Sequence, residues 1–127
     1  MEGKIPSRKL TETEKSLAFL DAFPLTKGHT LVIPKRHYVK IQEMSKEDNT
    51  DLFEIVRIVS RKIELMAPSS LVAIHNGKES GQEVPHVHVH IIPRNIDDSV
   101  GPVHSMFSKR PQLTNDEFDY IAEKLRK

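Results

Sequence analysis

Short apolar runs, each bounded by proline, glycine or polar residues, divide much of the chain into segments of strand length. Runs of this kind that are rich in β-branched and apolar residues are typical of β-strands. They predict strands at residues 16–21, 29–33, 70–75 and 84–92, with a short edge strand at 8–11. Because a short connection separates the strands at 16–21 and 29–33, we expect these two to pair.

A helical pattern follows Ser45, which is suited to cap a helix N-terminus, and continues to Pro68. Its apolar residues recur at spacings of three and four and form one stripe: Leu52, Val56, Val59, Ile63 and Met66. Residues 95–113 show no clear period. A capping pattern at residues 114–117, followed by Phe118, Ile121 and Leu125, predicts a short C-terminal helix.

Strands joined by short connections, with one long and one short helix, favour an α+β fold. We expect an antiparallel sheet of about five strands with the helices packed on it. The length of 127 residues is that of one domain, so residues 1–127 are predicted to form a single domain with its own core.

Three histidines stand at every second position of the last predicted strand, at His86, His88 and His90. Successive side chains of a strand point to opposite faces, so these imidazoles are predicted to share one face. The intervening Val87, Val89 and Ile91 would then pack against the helical layer. An imidazole can act as a nucleophile, a proton carrier or a metal ligand, which makes this face the candidate site of chemistry.

Composition excludes several classes of protein. There is no cysteine, so disulfides, thiolate catalysis and cysteine-based zinc sites are excluded, and we expect a cytoplasmic protein. No apolar run approaches the ~18 residues that span a bilayer, and residues 1–4 do not lead into a signal-peptide segment, so no membrane partner is predicted. A formal net charge of +1 argues against a protein that coats nucleic acid.

Three interpretations of the histidines remain open from the residues alone. They could simply occupy a half-exposed strand face. Two of them could bind a metal, but strand geometry places His86 and His90 roughly 13 Å apart, too far for one zinc ion to collect all three. Alternatively, a central His88 could attack an electrophile, and the neighbouring histidines could polarise or protonate that electrophile. The glycine-rich loop at residues 76–82 suits a phosphate target, because its backbone amides could approach phosphate oxygens.

Residues 81–94, which contain the three histidines, closely resemble the signature of the histidine triad (HIT) family of nucleotide hydrolases and transferases. Residues 19–21 and 28–37 resemble a second block shared by that family, and residues 3–6 resemble its N-terminal segment. The resemblance runs from about residue 3 to residue 94. It implies a HIT-like α+β fold whose sheet extends across a homodimer.

The resemblance also implies a mechanism. His88 would attack the α-phosphate of a nucleotide and form a nucleotidyl-histidine intermediate, which water hydrolyses. The carbonyl of His86 would hold the ring proton of His88, and His90 and His29 would contact phosphate oxygens or assist the leaving group. No metal and no other cofactor is implied for this reaction.

The same resemblance assigns the nucleotide-binding residues. Asp21 would hold the ribose hydroxyls, and Phe19 and Leu20 would pack the base, usually a purine. Taken alone, Asp21 could instead cap a turn, and the two apolar residues could be core. Gln82 and the adjoining backbone belong to the phosphate cradle, and the remaining nucleotide-binding residues predicted are His75, Asn76, Gly81, Glu83 and Val84.

The chain also departs from the family pattern. Many relatives have a Cys-x-x-Cys segment that helps to bind a structural zinc. This chain has no cysteine, so no metal site is predicted and His37 is expected to serve packing or the surface. His75 stands where many relatives have asparagine, and Glu83 where some have a serine or threonine that donates to phosphate. An ionised carboxylate cannot donate, which predicts an altered choice of substrate.

The sequence thus predicts a hydrolase for a nucleotide phosphoramidate, ester or dinucleoside polyphosphate, with adenosine as the expected nucleoside. Two functions of other classes compete with it. One is a nucleotide-binding sensor that rarely turns over, and the other is a metallohydrolase.

Overall fold

A computed structural model describes residues 8–127 of the chain. The N-terminal segment at residues 3–6 therefore lies outside the described residues. Among the described residues, the sequence folds into one antiparallel sheet and two α-helices.

The sheet has five antiparallel strands in the order β1-β2-β3-β5-β4. Four strands lie within one residue of their predicted bounds, and β2 and β3 pair as expected. The strands are β1 (Lys9–Glu12), β2 (Ser16–Leu20), β3 (Thr30–Pro34), β4 (Ser69–Ile74) and β5 (Val89–Arg94).

The long helix α1 spans Lys46–Ile63 and covers one face of the sheet. Ser45 caps it by accepting a hydrogen bond from the backbone N–H of Asp48. The predicted stripe is buried up to Ile63 and packs on Ala18, Val32, Val89 and Ile91 of three strands. Met66 lies beyond the end of the helix and is 57% exposed.

The short helix α2 spans Asn115–Arg126 and begins with the predicted capping box between Thr114 and Glu117. The expectation that both helices pack on the sheet is wrong for this one, because α2 has no buried residue. Its apolar positions Phe118 and Leu125 are 56% and 77% exposed. The sheet face that apolar helices could cover is taken by α1, which contacts β2, β3, β4 and β5.

The histidine strand begins later than predicted, at Val89 instead of Val84. Pro85 has no N–H to donate, and the N–H of His86 bonds to the carbonyl of Val84 in a turn. The predicted alternation nevertheless persists ahead of the strand. Val87, Val89 and Ile91 are fully buried, whereas His86, His88 and His90 remain partly exposed.

Within residues 8–127, no helix combines the length and the apolar character that crossing a membrane requires.

We expect Leu52→Ala to destabilise the fold by about 2–5 kcal/mol, because Leu52 is fully buried between α1 and the sheet and its truncation leaves a cavity. Urea denaturation followed by circular dichroism measures the loss. Leu65→Ala is the matched control, since Leu65 is 90% exposed and its truncation should change stability by less than about 0.5 kcal/mol. Equal losses in the two variants would contradict this account of the core.

Candidate active site

The candidate site lies on the face of the sheet opposite α1. His90 on β5 pairs with Leu31 on β3 and with Ala73 on β4, and these positions share that face. His29 directly precedes β3, so its side chain points to the same side as that of Leu31. The sheet register therefore brings together two histidines that are 61 residues apart in the chain.

Hydrogen bonds fix the proton positions on His29 and His90. The backbone N–H of Leu25 donates to Nδ1 of His29 at 3.0 Å, so the proton of the neutral His29 ring is on Nε2. That nitrogen lies 3.0 Å from Nδ1 of His90, which must accept. The proton of His90 is therefore on Nε2, a buried atom without a hydrogen-bond partner among the described residues. His90 thus keeps one ring donor that no described residue accepts.

His88 carries its proton on the other ring nitrogen, Nδ1. Its Nδ1 lies 2.8 Å from the carbonyl oxygen of His86, which can only accept, so Nδ1 carries the proton. In the neutral ring, the lone pair of Nε2 is then free. The ring centroids of His88 and His90 are 5.0 Å apart. A nucleophilic nitrogen and a hydrogen-bond donor therefore stand side by side.

The ring of His86 is hydrogen-bonded to the end of β3 and the segment that follows it. Its Nε2 donates to the carbonyl oxygen of Pro34 at 3.0 Å, and its Nδ1 lies 3.2 Å from Nδ1 of His37. Of the three alternating histidines, His86 thus contributes its carbonyl to the site, while its side chain anchors the chain to the segment that follows β3. His37 is exposed, as expected for a surface residue, but it also contacts His86.

Burial keeps the paired histidines neutral. Desolvation, together with repulsion from the imidazoles of His88, His29 and His75, lowers the pKa of His90 to about 4. Desolvation also lowers the pKa of His29, although the nearby carboxylate of Asp21 opposes it. Neutral rings at pH 7 are what the hydrogen-bond directions require.

Asp21 lies at the edge of this cluster. One carboxylate oxygen accepts a hydrogen bond from the N–H of Phe23 at 2.8 Å, and the other is 3.6 Å from Nε2 of His29. The carboxylate thus caps a turn and still has acceptor capacity that faces the histidines.

Asp21, His29 and His90 bring donor atoms within 4.8 Å of one another, a spacing at which a metal ion could bind. The hydrogen bonds of His29 do not suit this role. A metal at Nε2 would displace the ring proton, while the N–H of Leu25 already occupies the lone pair of Nδ1. The ring would then have to bind as an anion, which is unfavourable in a buried place.

The two predicted base-packing residues lie on opposite faces of β2. Phe19 is 3% exposed and shares the histidine face through its pairing with Leu31. Leu20 shares the α1 side with Ala18 and lines a cavity of about 260 Å³ together with Arg8, Asp21, Ala22 and Pro24. Because a strand alternates its side chains, the two cannot clamp one planar base within the strand.

The predicted loop residues fix the loop to the segment at residues 34–42. The side chain of Asn76 accepts from the N–H of Ile41 and donates to Gln42. The amide of Gln82 donates to the carbonyl of Val39 at 2.8 Å. The side-chain amide donor of Gln82 and both ends of Asn76 are therefore occupied by this segment.

Other loop residues remain open to a ligand. The ring of His75 meets the edge of His90 at a centroid distance of 5.6 Å. Gly81 has a φ of 110°, and a Cβ there would lie 3.3 Å from His75, so both the conformation and the space favour glycine. Glu83 and Val84 are exposed beside the histidines in sequence.

Sequence reasoning did not assign roles to Leu25, Pro34 and Tyr38, which act through their backbone groups. Leu25 sets the proton of His29, Pro34 anchors His86, and the carbonyl of Tyr38 accepts from the N–H of Val87 at 2.7 Å. A backbone contact leaves no residue-type signal, so only the three-dimensional pairing could reveal these three.

The lowered histidine pKa values make stability depend on pH. Burial lowers the pKa of His29, His86 and His90 in the folded protein, for His90 to about 4, whereas in the unfolded chain histidine titrates near 6.5. Between these values the unfolded chain binds more protons, so we expect stability to fall as the pH drops from about 6.5 towards 4.

Urea midpoints measured at several pH values test this expectation. His90→Asn should flatten the dependence, because asparagine does not titrate, whereas substitution of the exposed His104 by asparagine should leave it steep. Stability that is constant or rises towards pH 4 in the unmodified protein would contradict the assignment of buried, neutral rings.

Comparisons with known proteins show which family the chain belongs to. The family model of the HIT domain matches residues 2–97. The chain is 46% identical over 95 residues to an adenosine 5'-monophosphoramidase of Schizosaccharomyces pombe, covering 74% of this chain and 69% of that protein. It is 42% identical over 96 residues to an asymmetrical bis(5'-nucleosyl)-tetraphosphatase of the same organism, covering 74% of this chain and 53% of that protein.

Among solved structures, a histidine triad nucleotide-binding protein from Candida albicans superposes with a TM-score of 0.80 at 31% identity. The match covers 98% of this chain and 89% of the Candida chain. The family model, the sequence identities and the fold agree, and the chain belongs to the histidine triad (HIT) family.

Proposed function

We propose that this protein is a nucleotide hydrolase that cleaves at the α-phosphate of a nucleotide through a covalent nucleotidyl-histidine intermediate on His88. The observation that carries the proposal is the hydrogen bond from Nδ1 of His88 to the carbonyl of His86, which leaves Nε2 as a free nucleophile. The adjacent His90 supplies a donor where phosphate oxygens would bind. Relatives named as a phosphoramidase and as a tetraphosphatase support this class of reaction.

In the first step, Nε2 of His88 forms a bond to phosphorus while the bond from phosphorus to the leaving group breaks. The bonding electron pair departs with the leaving group, which takes up a proton from water. The carbonyl of His86 stabilises the charge that the attack creates on the ring. In the second step, water attacks phosphorus, releases a proton and the nucleoside monophosphate, and restores the lone pair of Nε2.

His90 is a hydrogen-bond donor in this scheme. Because burial lowers its pKa to about 4, the free enzyme at pH 7 carries no imidazolium there to act as an acid. The Nε2–H instead stabilises charge on phosphate oxygens, and the bond from His29 holds the proton in place.

Asp21 is proposed to bind the ribose, because its carboxylate can accept from two hydroxyl groups. The cavity beside it, at the end of β2, is lined also by Ala22 and Pro24 and offers an apolar surface to a base, for which adenine is the expected occupant. The leaving group is proposed to be an amine or a phosphate, as in the two named relatives.

We further propose that the protein is a homodimer that joins through β4. Among the described residues, β4 pairs with β5 alone and has an open edge. The strand Ser69–Ile74 contains no charged residue and no proline, the usual protection of such an edge, and Val72 is 45% exposed on it.

Replacing the proposed nucleophile should separate chemistry from binding. For His88→Asn we expect kcat to fall by about 10³-fold or more, because no ring nitrogen remains to attack phosphorus. Calorimetry should still detect AMP binding. Mass spectrometry of the unmodified enzyme, quenched during turnover of adenosine 5'-phosphoramidate, should find the adenylyl group on His88.

These measurements, together with a chelation experiment, decide between the competing functions. Tight AMP binding without any adduct or turnover in the unmodified protein would favour a nucleotide sensor. Activity that is lost on chelation and recovered with zinc would favour a metallohydrolase. Undiminished turnover by His88→Asn would remove His88 as nucleophile.

The dimer proposal predicts a solution mass of twice the 14.5 kDa of the chain in light scattering after gel filtration. Val72→Lys should yield monomers, because a charge at the edge of β4 disfavours pairing with a second copy. Leu65→Lys, on a residue that is 90% exposed beyond the end of α1, is the control and should stay dimeric. A monomeric unmodified protein would rule out the proposed assembly.

A further inference from the structure

His37 has no part in the mechanism described above, yet it touches the residue that holds the proposed nucleophile. It lies in the connection that follows β3, and its Nδ1 is 3.2 Å from Nδ1 of His86. The two rings are tilted by 53° with their centroids 5.2 Å apart, so the contact is between ring edges rather than stacked faces. This geometry is that of a hydrogen bond between two imidazoles.

The direction of that bond follows from the other nitrogen of His86. Its Nε2 faces the carbonyl oxygen of Pro34 at 3.0 Å, and because a carbonyl only accepts, Nε2 carries the proton. Burial lowers the pKa of His86, so the ring is neutral and has one proton to place. Its Nδ1 must therefore accept, and His37 must donate.

The orientation of His86 matters because its carbonyl holds the ring of His88. Residues 86–88 precede β5 and are outside the ladder that fixes the rest of the strand. Their backbone is held instead by the bonds from His86 N–H to Val84 and from Val87 N–H to Tyr38, each 2.7 Å long. The side chain of His86 adds a third attachment, and one of its two bonds comes from His37.

We propose that His37 is a positioning residue: its Nδ1–H pins the ring of His86 and so fixes the carbonyl that orients His88 for attack on phosphorus. The inference rests on the proposed function of His88. It assigns His37 a role in the rate of the covalent step and none in nucleotide binding, because its bond leads to His86 and away from Asp21 and His29.

Three variants of the full chain test the proposal. His37→Ala removes the donor, and His37→Gln keeps an amide N–H that can reach His86. His104→Ala is the matched control, since it removes an exposed histidine from the segment at residues 95–113. Rapid-quench mass spectrometry with adenosine 5'-phosphoramidate gives the rate at which the His88 adduct forms, and steady-state kinetics give KM.

We expect His37→Ala to slow adduct formation by about 10-fold, the effect of one lost hydrogen bond, with KM changed by less than about twofold. His37→Gln should recover most of the rate, and His104→Ala should match the unmodified enzyme. An unchanged rate of adduct formation in His37→Ala, or a raised KM with an unchanged rate, would overturn the proposal.

Long-range ¹H–¹⁵N spectra of the histidine rings provide a readout that needs no substrate. The unmodified protein should show the proton of His86 on Nε2 and that of His88 on Nδ1. In His37→Ala the ring of His88 should populate both tautomers, and His37→Gln should restore one. A single unaltered His88 tautomer in His37→Ala overturns the proposal even if the unmodified protein forms no adduct, which would by itself reject only the proposed function. Should the alanine variant fail to fold, His37→Leu replaces it with an apolar side chain that lacks the donor.

Discussion

Hydrogen bonds between residues 34–42 and residues 76–87 hold His86 and His88 in place. The backbone N–H of Val87 bonds to Tyr38, the ring of His86 bonds to Pro34, and the amide of Gln82 bonds to Val39. The sheet ladder begins only at Val89, so it cannot position the residues before it. Without these bonds His86 and His88 would belong to an untethered loop, and the free nitrogen of His88 would have no fixed direction.

The segment at residues 34–42 is in turn fixed to the core. The hydroxyl of Tyr38 donates to Asp48 in the first turn of α1, and its ring packs against the hydrophobic cluster between α1 and the sheet. The proposed nucleophile is thus connected to the most buried part of the fold through one short stretch of chain. The packing of α1 on the sheet therefore contributes to the geometry of the site as well as to stability.

Backbone groups decide the protonation pattern of the histidines. The N–H of Leu25 forces His29 to donate to His90, and the carbonyl of His86 forces His88 to expose its lone pair. One imidazole is thereby prepared as a donor and its neighbour as a nucleophile, although the two side chains are chemically identical. Burial supports this division, because it lowers the pKa of His90 and keeps the ring in a single neutral form.

Sequence patterns predicted the parts of the structure that depend on which face a side chain occupies. The apolar stripe from Leu52 to Ile63 predicted α1. The alternation of histidine with apolar residues predicted which side chains face the core and which face the site. The start of β5 and the anchored ring of His86 were not predictable, because both depend on partners such as Tyr38 and Pro34 that lie 49 and 52 residues away in the chain. Periodicity reports the face of a side chain and carries no information about such distant backbone partners.

The exposed helix α2 also shows that local sequence patterns do not predict long-range packing. Its capping box and apolar spacing correctly predicted a helix, since both act within a few residues. Whether an apolar stripe finds a surface to cover depends on the rest of the fold, and α1 already occupies the helical side of this sheet.

We propose that Nε2 of His88 attacks phosphorus, and a crystal structure with bound AMP would show whether that atom faces the phosphate. We expect the phosphorus about 3–3.5 Å from Nε2 of His88, with Nδ1 still bonded to the carbonyl of His86. A phosphate bound away from that ring, or a His88 ring whose Nε2 is occupied by a metal ion, would contradict it.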